Sequence, residues 1–300
     1  KGGYSQDFTT RDTETYPTVL NAQLLGRVFY IDGSNAADLI NVTLDGLQIT
    51  QGQWTASEYA RYNDLENLTN SWWRAPLGGG IRARKANLVM NHCILKNNHT
   101  PNGVGTGLFH QYGSFIMTNS TVESNTGTGT NFPYLGQAGG GLFFLQVTVN
   151  ISDSTIQNNS AGYGNSNLSS EAAGGGIYLN HSTATIDHTI FQGNTASRNE
   201  YGRGGAIYSS FGSLTLTNST LLNNKAGEVH SYCVGGAILA DTTTVLSGNH
   251  FEGNTDSAVY ATNTLTINGN TFLNNTGGVS SSVRLAGGVT LTGSGTFENN

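Results

Sequence analysis

The chain has 300 residues, 41 of them Gly and only 4 Pro, with 11% charged side chains and a formal net charge of −6. Its 13 Lys and Arg residues gather no more densely than at Arg82, Arg84 and Lys85, which excludes the basic footprint that nucleic-acid binding needs. No apolar run reaches the roughly 18 residues of a membrane span, and the 36% apolar content recurs in register, which excludes a low-complexity disordered chain.

Taken from the beginning, residues 27–33 (Arg-Val-Phe-Tyr-Ile-Asp-Gly) and 39–49 each read as one coil built from a short strand. Residues 51–77 then read as an insertion carrying all three Trp residues, with Arg61, Asp64, Glu66 and Arg74 among them. From residue 81 the chain repeats itself. An apolar residue followed three places later by Asn recurs as Ile94/Asn97, Val122/Asn125, Ile156/Asn159, Phe191/Asn194, Leu221/Asn224, Phe251/Asn254, Phe272/Asn275 and Phe297/Asn300. Upstream of each pair stands a second apolar residue, usually after Gly-Gly: Ile81, Leu108, Leu142, Ile177, Ile207, Ile238, Val259 and Val283.

The spacing from this upstream residue to its partner is 13 or 14 in all eight units, whereas the spacing from each Asn to the next unit runs 11, 17, 18, 13, 14, 5 and 8. One half of every unit is therefore fixed and the other half is free. The fixed segments alternate with period two, as in 213–217 (Ser-Leu-Thr-Leu-Thr), and show no helical period. Short strands in units of 21 to 35 residues, separated by Gly and Asn turns, predict a solenoid. The expected fold is all-β: a right-handed single-stranded parallel β-helix of about ten coils, with variable loops on one edge. It is read as a single domain over residues 1–300, expected to be a fragment of a longer protein. Asn97, Asn125, Asn159, Asn194, Asn224, Asn254, Asn275 and Asn300 are expected to stack as a structural ladder of side-chain amides. The last unit ends at Asn300 on an uncapped apolar coil, which predicts head-to-tail self-association.

If Ile81 and its equivalents point inward, the residue after each points out. That outward column reads Arg82, Phe109, Phe143, Tyr178, Tyr208, Leu239, Tyr260, Arg284, and the column two places on reads Arg84, Gln111, Leu145, Asn180, Ser210, Asp241, Thr262. Together they hold one carboxylate. Glycoside hydrolysis needs two, and Ca²⁺ needs a dense oxygen cluster, so no catalytic residue, metal or cofactor is expected. The aromatic column has two readings, burial under the variable loops or a stacking platform for a sugar or a partner protein. The variable edge is the expected recognition surface, with Trp54, Trp72, Trp73, Tyr134, Tyr163, Tyr201 and Tyr232 as candidate contacts to carbohydrate or protein.

His92, His99, His110, His181, His188, His230 and His250 lack metal-ligand spacing and are expected at the surface or in turns. Cys93, read as flanking an inward Ile94, and Cys233 lie four coils apart. That separation exceeds the roughly 7 Å a disulfide spans, so the two are expected not to pair.

The motifs Gly204-Gly205-Ala206-Ile207 and Gly235-Gly236-Ala237-Ile238, with the Phe-x-x-Asn pairs at Phe191, Phe251, Phe272 and Phe297, resemble the repeats of chlamydial polymorphic outer-membrane proteins. Residues 174–178 (Gly-Gly-Gly-Ile-Tyr) resemble the repeat of many large secreted bacterial proteins with pectin-lyase-like β-helices, and residues 2–20 resemble their lead-in. The resemblance covers nearly the whole chain. It implies a non-enzymatic extracellular or cell-surface protein: an adhesin or passenger, or a structural part of an envelope or filament. Its implied partners are a surface glycan, or a host or neighbouring protein. Pectin-lyase-like relatives also include polysaccharide lyases and glycoside hydrolases, which supplies the alternative reading.

Overall fold

The computed structural model describes residues 1–54, 77–101, 104–128, 138–162, 172–198, 202–227, 233–277, 282–286 and 291–300. The repeating unit opens with an 11-residue strand, seen at Ile81–Asn91, Leu108–Thr118, Leu142–Ser152, Ile177–Asp187 and Ile207–Thr217. Alternation along each strand sends every second side chain inward. The strand does not run straight. Its fifth residue takes a left-handed conformation, with φ of 48° at Lys85, 61° at Tyr112, 56° at Gln146, 49° at His181 and 54° at Phe211. This first corner divides the strand between two faces of the coil.

A second left-handed corner follows at His92, Asn119, Asp153, His188 and Asn218, and a third at Asn97, Ser124, Asn158, Gly193 and Asn223. Between them runs a third face of three-residue strands such as Thr155–Gln157 and Ile190–Gln192. Beyond the third corner, His99–Pro101, Thr126–Thr128, Ser160–Gly162 and Thr195–Ser197 form a small sheet of their own. Every pairing between named strands is parallel, with Ile81, Leu108, Leu142, Ile177, Ile207 and Ile238 lying over one another and the register shifting only past Ser210 and past Ile267 among the described residues. The chain is an all-β parallel β-helix.

The two early segments correct one expectation. Phe29–Asp32 pairs with the first half of Ile81–Asn91, Ile40–Asp45 with its second half, and Leu47–Thr50 with Ile94–Lys96. Residues 27–33 and 39–49 are thus parts of one rung, not two coils, because a loop replaces the single left-handed residue at the first corner. Nine rungs result, with Thr18–Asn21 paired against Leu47–Thr50. At the spacing of hydrogen-bonded strands they stack over roughly 40 Å.

Inside the coil, apolar residues stack in columns. Phe115, Phe144, Phe191, Phe251 and Phe272 are fully buried, and the rings of Phe251, Phe272 and Phe297 lie 4.7 and 4.8 Å apart within 8° of parallel. Each buried Phe contributes about 1.5–3 kcal/mol. Polar columns accompany them. At the second corner the Cys93 N–H donates to the Ser120 hydroxyl, the Ser120 N–H to Ser154 and the Thr189 N–H to Ser219, and Ser219 continues through Asn249 to Asn270.

The asparagine ladder stands at the third corner with one change of membership. Its first rung is Asn98, not Asn97: Asn98 is 1% exposed and donates its side-chain amide to Asn125 Oδ1 at 2.8 Å. Asn97 is the exposed left-handed corner residue before it. The inward partner is correspondingly Leu95, fully buried, while Ile94 faces outward beside the buried Cys93. Asn125, Asn159, Asn194, Asn224, Asn254, Asn275 and Asn300 continue the column as expected, each linked to the next by amide bonds of 2.9–3.1 Å. Each Nδ2 also donates to the carbonyl of an inward residue one rung back, such as Asn194 to Ile156 at 2.8 Å. Both amide hydrogens are used.

The Gly-Gly step closes the turn. Gly204 takes φ of 63°, and a Cβ on Gly205 would sit 2.1 Å from the Gly236 carbonyl oxygen and 2.5 Å from that of Lys225. The next position carries Ala206 with its methyl buried, and two other rungs hold Thr106 and Ser257 at the place of Gly205, so the close approach is particular to rungs such as this one.

Candidate functional site

The outward columns of the first face align as the spacing predicts. Tyr30, Arg82, Phe109, Phe143, Tyr178, Tyr208, Leu239, Tyr260 and Arg284 lie in one register. Most of this column is covered. Phe109 and Leu239 are each 1% exposed, packed with Leu77, Val104 and Ala138 in one cluster and with Ala173 and Val234 in another. The covering residues are the last of each variable segment, placed immediately before the Gly corners. Phe109 and Phe143 stack at 5.3 Å, and Tyr178 and Tyr208 at 4.7 Å with planes 3° apart.

The polar end of the column gathers around Asp241. The Tyr208 hydroxyl donates to Asp241 Oδ2 at 2.7 Å and the Thr262 hydroxyl to Oδ1 at 2.6 Å. Burial pushes the Tyr178 hydroxyl up to about 12, against hydrogen bonds from Ser210 and Asn180 that lower it. Tyr208 is also pushed up, first by burial and then by Tyr178 and Asp241. Both phenols therefore stay protonated, and Tyr208 remains a donor to the carboxylate. The second column, Arg84, Gln111, Leu145, Asn180, Ser210 and Asp241, is in register beside it. Gln111, Leu145, Asn180 and Ser210 are buried, and Asp241 keeps partial exposure.

At the other end of this face the Tyr30 ring has the guanidinium of Arg27 at 5.9 Å and that of Arg82 at 5.6 Å, while its hydroxyl donates to Asp32 at 2.9 Å. Arg27 also donates to the carbonyls of Leu77 and Gly78, both at 2.7 Å, fixing the end of the first variable segment to the rung before it.

The variable edge is defined by its fixed borders. On the entry side Pro101 lies over Thr128 and Gly162 over Ser197; on the exit side Leu77, Val104, Ala138 and Ala173 bridge in series. Trp54 is half-buried at the start of the first segment, next to Gln53, which bridges His99. Trp72, Trp73, Tyr134, Tyr163, Tyr201 and Tyr232 lie outside the described residues.

Histidines divide by position. His92, His181 and His188 occupy left-handed corners. His110 departs from the surface expectation: it is fully buried inside the coil, with Nε2 3.1 Å from the Ala86 carbonyl and its ring against Phe115 and Phe144. Its inward position follows Ala83 of the preceding rung, and burial pushes it down to about 4. Cys93 and Cys233 are both buried and are not joined in a disulfide, and burial pushes the Cys93 thiol up.

Sequence reasoning also missed the first corner. The His181 and Phe211 rings stack there at 4.6 Å with planes 22° apart, outside the coil. The signal was present as the fourth residue after each inward Ile or Leu, but strict alternation assigns no outward corner to that place.

Fold and columns together define a single-chain parallel β-solenoid with a covered aromatic face, a polar cluster at Asp241 and one variable edge. No family model matches the chain, and neither a curated protein nor a solved structure matches it.

Proposed function

We propose that this chain is a non-enzymatic extracellular surface protein, an adhesin or passenger or a structural part of an envelope or filament. In this reading a constant rod holds one variable edge toward a surface glycan or a neighbouring protein. The observation that carries it is the contrast at that edge. The spacing from each repeat's Asn to the next unit runs from 5 to 18 residues, while the residues bordering that edge stack rung over rung. Loops of free length on a rigid scaffold are where recognition is placed without loss of fold. The resemblance of 204–207 and 235–238 to the repeats of polymorphic outer-membrane proteins, and of 174–178 to pectin-lyase-like secreted proteins, supports the same reading.

The test replaces residues 55–76 with a short Gly-Ser turn and measures retention of the purified chain on intact bacterial and epithelial cells. The trimmed rod should keep its circular-dichroism spectrum and lose most of its retention. Equal retention by both proteins would overturn the reading. So would release of oligosaccharides from a polysaccharide panel by the wild type but not by Asp241→Asn, which would make the chain an enzyme.

A further inference from the structure

The second face of the coil, the half-strand between the first and second corners, has an outward surface unlike the other two. From Ile40–Asp45 to Leu265–Leu273 its outward residues are Thr, Ser, Asn, Val and Ile, with carboxylates only at Asp45 and Asp187. Among the described residues this surface holds no Lys, Arg, Glu, His or aromatic side chain. The third face, by contrast, carries Lys96, Glu123 and Glu252. A face this tall without long charged side chains departs from an ordinary protein surface.

The array is regular in two directions. Thr183 lies over Ser213 and Thr185 over Thr215, and Ser213 is followed by Thr243. Rungs repeat about every 4.8 Å, and outward neighbours along one strand about every 6.7 Å. Thr is branched at Cβ and stiff at χ1, so its hydroxyl and methyl keep both spacings. The hydroxyls of Thr183, Thr185, Thr215 and Thr243 take no partner within the chain among the described residues. Where neighbours do pair, as Thr266 with Thr292 at 3.1 Å, each hydroxyl still has lone pairs to offer water.

These groups select the ligand. The face has no Trp, Tyr or Arg to anchor a protein and no ring to stack a sugar. Asp45 and Asp187 stand four rungs apart, so they gather no cation. What remains is a rigid lattice of short hydroxyls and methyls. Methyls wall the troughs between rungs, and hydroxyls bond the water that fills them. Water fixed at these two repeats is spaced much as oxygens are in a crystal plane of ice.

We infer that the second face is an ice-binding surface, centred on Thr183, Thr185, Ser213 and Thr215. It lies on another side of the rod from the variable edge, so it stands or falls separately from the function proposed above.

Slow growth of an ice hemisphere in a dilute solution of the purified chain tests it, together with recrystallisation of fine-grained ice in frozen sucrose. The wild type should enter the ice and hold the grains small. Thr215→Lys places a long hydrated charge on the lattice and should lose most of both effects while keeping its urea midpoint. Gln192→Lys adds the same charge to the third face and should behave as the wild type. Replacing residues 55–76 should leave both effects unchanged. Exclusion of the wild type from the ice, equal entry of Thr215→Lys, or an equal loss in Gln192→Lys would each overturn the proposal.

Discussion

His110 is a buried imidazole whose polar contacts are with the backbone at Ala86 and Tyr112, too few to offset its burial, so the coil accepts it neutral and resists it charged. Its folded-state value is pushed down to about 4, against about 6.5 for a free histidine. Between those values the unfolded chain takes up the proton first, so stability is full above pH 6.5 and falls as the pH drops toward 4. The loss amounts to about 3 kcal/mol at most. Urea midpoints at pH 7 and pH 4.5 should therefore diverge more for the wild type than for His110→Leu; parallel shifts would remove His110 from the acid response. Asn194 makes a second residue-scale case. Its Oδ1 takes the Asn159 N–H and Nδ2, and its own Nδ2 serves Ile156 and Asn224. Asn194→Ala orphans those groups in a dry column and should cost on the order of 3 kcal/mol by urea denaturation.

At the scale of the element, each turn has two kinds of position. Gly205 has a neighbouring carbonyl where a Cβ would stand, whereas Ala206 shows that the next place tolerates a methyl. Gly205→Ala should destabilise by about 2–3 kcal/mol, and Ala206→Gly by about 1 kcal/mol or less; similar midpoints for the two variants would contradict the close approach. The same positional logic explains what was legible in the sequence. Strand alternation and the Phe-x-x-Asn spacing made the rungs readable, because both are imposed by a core that repeats in every rung. Asn97 was misread because Asn97-Asn98 offers two amides of identical chemistry, and only the left-handed bend at Asn97 says which one turns inward. Phe211 was missed for the related reason that a corner breaks the two-residue period. His110 was misjudged because residue type suggested water while register placed it over Ala83. The edge aromatics were nameable as a set, but unrepeated segments offer no register from which to place them.

For the whole molecule, each rung contacts only the rungs beside it, as in other solenoids. Distant substitutions should then act independently. Asn125→Ala combined with Asn254→Ala, four rungs apart, should lower stability by the sum of the two single losses within about 0.5 kcal/mol. Asn194→Ala combined with Asn224→Ala should fall short of its sum, because the second change removes a group the first has already orphaned. Additivity in both pairs would show that the column is a set of separate contacts.

The amide column also has a direction. In every link the donor sits on the earlier rung and the accepting oxygen on the later one, from Asn98 through Asn300. Eight side-chain dipoles consequently line up head to tail, and chains of hydrogen bonds polarise one another. The rod is in this respect a small electret: one terminus of the column is slightly negative and the other slightly positive. Two such rods meeting with like termini together would find their columns opposed in sign.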